Sequence, residues 1–260
     1  MKQNVCVAFI ALILILSTGC KKDLSLTLSG GEEFIDSTNL ENIVPEAATS
    51  LMNYFRLNSD LMESGLNSID LTLVGTLDFT PGVLGDAVEF NGDGDHLKFQ
   101  PTNSTHFTFV AWINLYGPAP GATTQYLLES RAFRIHDRGA RRLQFELLAT
   151  DGSVARWKTS AAETFPYNEW TFIAVTVDLT TPYPADQTTM TKLYMNGIPC
   201  TVTLETSVTA LARDNTTALG AIGNTMAQNR PTNGAFDEIG IFNTLLTDAQ
   251  ILAIYNAQKP

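Results

Sequence analysis

Three groups of side chains in this 260-residue chain are of types and spacings that chemistry uses. Asn91, Asp93 and Asp95 alternate in a glycine-rich turn, and their oxygens are the hard ligands that a calcium ion gathers six to eight at a time. Arg131, Arg134, Arg138, Arg141 and Arg142, five of the chain's 16 Lys and Arg, cluster in one short stretch with His136 among them. Guanidinium forks grip carboxylates, sulfates and phosphates through paired donors, so Arg138 and Arg141 are candidate contacts for an anionic polysaccharide or a lipid headgroup. The plainer alternative is a solvated hairpin whose arginines pair with surrounding acid. Tyr116, Trp157, Tyr167 and Tyr183 fall in or near expected loops and edges, where an exposed ring stacks on a sugar. Trp157 and Tyr183 are the candidate ligand contacts, Tyr183 because Pro182-Tyr183-Pro184 lies in a long connection.

The motifs of catalysis are missing. The sequence holds no Gly-x-Ser-x-Gly elbow, His-Glu-x-x-His, phosphate loop or Cys-x-x-Cys. The acidic turn is not an EF-hand, because His96 stands where glycine makes the bend and Thr102 where the bidentate glutamate belongs. His96, His106 and His136 each follow or flank a turn and are expected at solvated surface. With 27 Asp and Glu and a net charge of −11, the chain is too acidic for bulk binding to nucleic-acid phosphates. Neither an enzyme nor a nucleic-acid binder is expected.

Lys2 precedes an unbroken apolar run, Val5 to Leu16, that ends in Ser17-Thr18-Gly19-Cys20. The run is too short to span a bilayer, which takes about 20 apolar residues, and it fits a secretory signal segment. Leu16 to Cys20 is similar to a bacterial lipobox, in which the cysteine becomes the first mature residue and carries acyl chains. Leucine stands four residues before the cysteine here instead of the usual three, and a plain cleavable signal is the alternative. Cys20 is the expected lipid attachment. Lys21-Lys22-Asp23 resembles the charged stretch of lipoproteins displayed on the outer face of a bacterial outer membrane, the expected location. Cys200 is left with no partner for an internal bridge. The expected organisation is a signal segment over 1–19, an acylated cysteine and flexible tether over 20–48, and one domain over 49–260.

The elements that must position these residues are strands. From about Leu51 the chain consists of short alternating or apolar segments separated by turn residues such as Asp151-Gly152 and Asn196-Gly197. In Phe107 to Ile113 the set Phe107, Phe109, Ala111, Ile113 and the set Thr108, Val110, Trp112 lie on opposite faces, both largely apolar. Such a strand belongs mid-sheet and covered on both sides, with Trp112 in the core. One helix is expected at the end of the chain, where Thr247 and Gln250 make a capping box before Ile251, Ile254 and Tyr255; it is expected to plug an end of a sandwich.

Several segments occur in the order found in one known family: Gly85-Asp86-Ala87-Val88-Glu89-Phe90, Gly94-Asp95-His96-Leu97, Phe107 to Ile113, Glu169-Trp170-Thr171-Phe172, Lys192 to Gly197, and Gly234 to Asn243. The chain resembles the laminin-G-like branch of the concanavalin A-like lectin and glucanase superfamily over about residues 50 to 258. That resemblance implies an all-β jelly-roll sandwich of two antiparallel sheets with a short C-terminal helix. It also implies a structural Ca²⁺ at the sandwich edge, with Asp95 and Asp237 at the matching positions. The Glu-x-Asp-x-x-Glu strand motif of the glucanase branch is absent: Glu129, Glu146 and Glu238 lack the aspartate two residues on. The expected function is therefore non-catalytic carbohydrate binding at the cell surface. The alternatives are a structural or adhesion module that contacts a surface protein, and a glycoside hydrolase-like enzyme of unfamiliar type.

Overall fold

A computed structural model describes residues 36–118 and 121–260; the expected signal segment, Cys20 and the first part of the tether lie outside the described residues. In chain order the strands are β1 (Leu51–Phe55), β2 (Thr72–Val74), β3 (Asp78–Pro81), β4 (Asp86–Asn91), β5 (His96–Phe99), β6 (His106–Leu115), β7 (Gln125–Glu129) and β8 (Phe133–Asp137). They continue as β9 (Leu143–Leu148), β10 (Val154–Thr159), β11 (Thr171–Asp178), β12 (Thr191–Met195), β13 (Ile198–Pro199), β14 (Val202–Thr206), β15 (Gly220–Ile222) and β16 (Asn233–Phe242). They form two eight-stranded sheets. The first has the order β13-β12-β11-β6-β16-β4-β3 with β1 also paired to β16, and the second the order β14-β10-β9-β8-β7-β15-β5-β2. The pairings are antiparallel, as in a jelly-roll sandwich. The expected hairpin turn between β12 and β13 is present, with Asn196 and Gly197 both at positive φ, 49° and 77°.

The space between the sheets is filled from both sides, by Phe109, Ile113, Ile173, Val175 and Phe236 of the first sheet and Leu97, Ile135, Phe145 and Trp157 of the second. Trp157, expected at a ligand surface, is fully buried. The two-residue period of β10 sends Ala155 and Trp157 inward and Arg156 and Lys158 outward, and the indole Nε1 donates to the Gln187 carbonyl at 2.9 Å.

The outer face of the first sheet is apolar as well, which compels a cover. Val110, Trp112, Phe172, Ala174 and Tyr194 pack there beneath Ile251 and Ile254 of α2 (Asp248–Gln258) and beneath Leu40 and Val44 at either end of α1 (Leu40–Ile43). Two expectations change. The helix α2, which has the expected Thr247 capping box, lies across a sheet face instead of plugging an end. Leu40, Val44 and Ala47 are buried, so a tether drawn to residue 48 is too long; the compact unit begins at Ser37 because these apolar residues help seal the sheet.

Under that cover, β16 is irregular between Asp237 and Gly240, and Glu238 sits at φ 51° with its side chain fully enclosed. Its carboxylate meets the Tyr54 hydroxyl, the Gln258 amide at 3.1 Å and Arg56 at 3.5 Å, while Gln258 also accepts from Trp112 Nε1 at 3.1 Å. Burial pushes Glu238 up to about 8, against the hydrogen bond from Tyr54.

Two outcomes are expected. Trp157→Ala should lower the unfolding free energy by about 3–5 kcal/mol in urea titration, the usual cost of emptying a buried aromatic site. Because folding raises the Glu238 pKa, the folded state binds the extra proton, and this contribution to stability is full below about 4.5 and lost as pH rises through 8. Thermal melts from pH 5 to 8.5 should therefore fall more steeply for the native chain than for Glu238→Gln.

Candidate functional site

Among the described residues no helix packs over the outer face of the second sheet, whose central residues are polar. Registers across β7, β8, β9 and β10 stack them into two rungs. One rung runs Glu129, Arg134, Glu146, Arg156, alternating in charge from strand to strand; the next runs Tyr126, His136, Gln144, Lys158. Cross-strand pairs of opposite charge are the favourable neighbours on a sheet face.

Glu146 is the centre of this lattice. Its Oε1 accepts from Arg156 Nε at 2.8 Å and Gln144 Nε2 at 3.0 Å and lies 3.6 Å from His136 Nε2, while Oε2 lies 3.6 Å from Arg134 Nη1. Burial alone would raise its pKa, but the hydrogen bond and charge of His136, with those of Arg156, hold it down at about 2. Arg134 also donates to Glu129 at 3.0 Å and sits 5.7 Å over the Tyr126 ring, which in turn packs on His136 at 4.7 Å. His136, expected at solvated surface, is buried in this lattice; His96 is buried too.

Tyr126, His136, Glu146 and Arg156 form the floor of a cleft of about 450 Å³, with Arg138 and Arg230 at its edge and Thr123 and Thr124 beside them. Arg138 is half exposed, with Glu205 3.9 Å away, and Glu205 is itself paired with Lys158. Exposed Arg230 donates to its neighbour's carbonyl, Asn229 O, at 3.2 Å.

The structure redistributes the sequence's candidates. Of the arginine cluster, Arg138 lines the cleft, while Arg134 is held beside it by Glu129 and Glu146. Arg131 instead bonds Thr217, Arg142 caps the Thr159 carbonyl, and Arg141, at φ 60° in the β8–β9 hairpin, is not among the cleft-lining residues. Arg156 and Arg230, distant in sequence, take their places. Strict alternation in Phe133-Arg134-Ile135-His136 was the signal for β8, masked by the density of charge.

Asp95 and Asp237 have separate neighbours. The Asp93 and Asp95 backbone amides donate to Asn91 Oδ1 and Asp93 Oδ1 at 3.1 and 3.2 Å, which shapes the turn, and Asp95 packs into the bend at Gly75. Asp237 is buried and accepts from the Val83 and Leu84 amides at 2.8 and 3.0 Å; burial raises it to about 6 against those bonds. Among the described residues no group of three or more His, Cys, Asp or Glu is gathered as a cation would need. Tyr183 separates two clefts of about 580 and 540 Å³ at Pro182, Leu211 and Phe107, but its hydroxyl accepts from the Ala212 amide at 3.0 Å and so is committed to the fold.

The model of one protein family, described as the concanavalin A-like lectin/glucanases superfamily, matches residues 90–252. The chain belongs to that superfamily. No curated protein matches it by sequence. Among solved structures, this superfamily member is similar to domain 4 of AbnA, a GH43 extracellular arabinanase from Geobacillus stearothermophilus in complex with arabinotriose, at 20% identity and a TM-score of 0.56, over 79% of this chain and 98% of that one. It is also similar to the botulinum neurotoxin serotype D ligand binding domain in complex with N-acetylneuraminic acid, at 13% identity and a TM-score of 0.63, over 82% of this chain. The chain spans about half the length of that toxin domain, 52%. These likenesses establish a shared fold.

Removing the central anion tests the lattice. Glu146→Gln is expected to cost about 2 kcal/mol in urea unfolding at pH 7, because partly buried guanidinium groups lose their charge-assisted partner. The depressed carboxylate contributes stability above its ordinary value near 4.5 that is lost as pH falls toward 2, so the native chain should weaken over that window more than the variant.

Proposed function

We propose that this chain is a non-catalytic carbohydrate-binding module whose site is the open face of the second sheet. The observation that carries the reading is the contrast between the faces: the first sheet is sealed by helices, whereas the second presents a 450 Å³ cleft of aromatic, amide and charged side chains. That volume lies in the range of small-ligand sites, and convergent polar groups around an aromatic ring are the ordinary means of orienting a sugar. The binding of saccharides by two structural neighbours supports the same class of ligand.

Glu146 favours binding over hydrolysis. A glycosidase needs one carboxylic acid whose raised pKa keeps a proton for the leaving group, and Glu146, the central carboxylate of the face, is held near 2. The reading includes secretion and a lipid anchor at Cys20 on the outer membrane, supported by the apolar run and the lipobox-like residues before it. An anchor of this kind would keep the module at a surface where polysaccharide is met.

A glycan array probed with the full-length chain, followed by calorimetry on its best hit, tests the site. Tyr126→Ala should weaken binding by at least about tenfold, the scale of a lost aromatic contact, while Tyr183→Ala retains it. The reverse pattern would move the site to the end clefts, and an array with no hits would refute glycan binding.

A further inference from the structure

The charges around the cleft point to the class of sugar, and this inference rests on the glycan-binding reading above. We propose that the site selects glycans whose sugars carry a carboxylate, a uronic acid polymer, over neutral glycans.

The side chains that line the cleft include three guanidinium groups, Arg138, Arg156 and Arg230, against one carboxylate, Glu146. That carboxylate is already satisfied by Arg156, Gln144, Arg134 and His136, so it needs no cation from the ligand, and its single charge offsets only one of the three lining guanidinium groups. Just outside the cleft, Glu205 is shared between Lys158 and Arg138, and Glu129 is paired with Arg134. The local balance is cationic in a chain of net charge −11. A polyanion is therefore repelled by the molecule as a whole and attracted at this one place, which turns affinity into orientation.

The arginines at the edge have donors to give. Arg138 is half exposed with its nearest carboxylate at 3.9 Å, beyond a good hydrogen bond, and exposed Arg230 donates to a single backbone carbonyl at 3.2 Å. A planar carboxylate engages each such fork through two parallel bonds, whereas a sugar hydroxyl engages one donor at a time. Glu146 meanwhile holds Arg156 through Nε at the cleft that both line. Repulsion from the fixed Glu146 charge keeps the ligand's carboxylate off the floor and at the arginine edge.

Calorimetry of the full-length chain with oligogalacturonate, its methyl ester, a sulfated oligosaccharide and a neutral arabino-oligosaccharide tests the assignment. Oligogalacturonate should bind at least about tenfold tighter than its ester, with affinity falling as sodium chloride rises from 50 to 500 mM. In Arg138→Gln/Arg230→Gln, two exposed positions whose replacement should leave circular dichroism unchanged, the acid-over-ester preference should collapse toward one. Equal binding of acid and ester, an unchanged preference in the double variant, or tighter binding of the sulfated probe would each overturn the carboxylate assignment. If the neutral oligosaccharide binds as well as the acid and Tyr126→Ala abolishes it, charge selection fails and the glycan site stands. Absence of binding to every probe, joined to an empty array, removes both.

Discussion

A strand hands alternate residues to opposite sides of its sheet, and in this chain the two sheets use that rule differently. Along β6 and β11 both sets of residues are apolar, so the first sheet demands a second layer on its far side and obtains it from α1, α2 and the segment between Val44 and Ser50. Along β8, β9 and β10 only one set is apolar. The other set, Arg134, His136, Gln144, Glu146, Arg156 and Lys158, is polar and pairs within itself. The sandwich thus has a protected flank and a working flank, and the difference is settled residue by residue in the strand pattern.

The working flank is stable because its charges are placed in register. Alternating acid and base along one rung satisfies Glu146 without a ligand, at the cost of holding long side chains still.

Much of this was legible from pattern alone. The all-β character, the covered strand at Phe107–Ile113, the turn at Asn196-Gly197 and the Thr247 cap follow from period and local chemistry, and the jelly roll from the family resemblance. The site was less legible because it is assembled across strands. Arg138 was recognisable within a cluster, but Arg156 joins it through sheet register and Arg230 through a loop whose carbonyl accepts from the Tyr126 amide, links that no local window contains. Trp157 misled because its neighbours Arg156 and Lys158 are polar; period two makes polar neighbours the mark of a buried residue in a one-sided strand. The tether was overdrawn because Leu40, Val44 and Ala47 are widely spaced among polar residues, and their value lies in the sheet they cover.

The position of β16 sets the order in which the chain can close. It lies between β6 and β4 and also carries β1, so three strands made early have their common neighbour only in residues 233–242. The α2 helix that seals them follows at the very end. A chain delivered from its N-terminus has its first sheet in three separate pieces, β13-β12-β11-β6, β4-β3 and β1, until residues 233–242 emerge, and the long sequence separations involved slow its closure. Late completion of this kind makes the final thirty or so residues the latch of the whole sandwich.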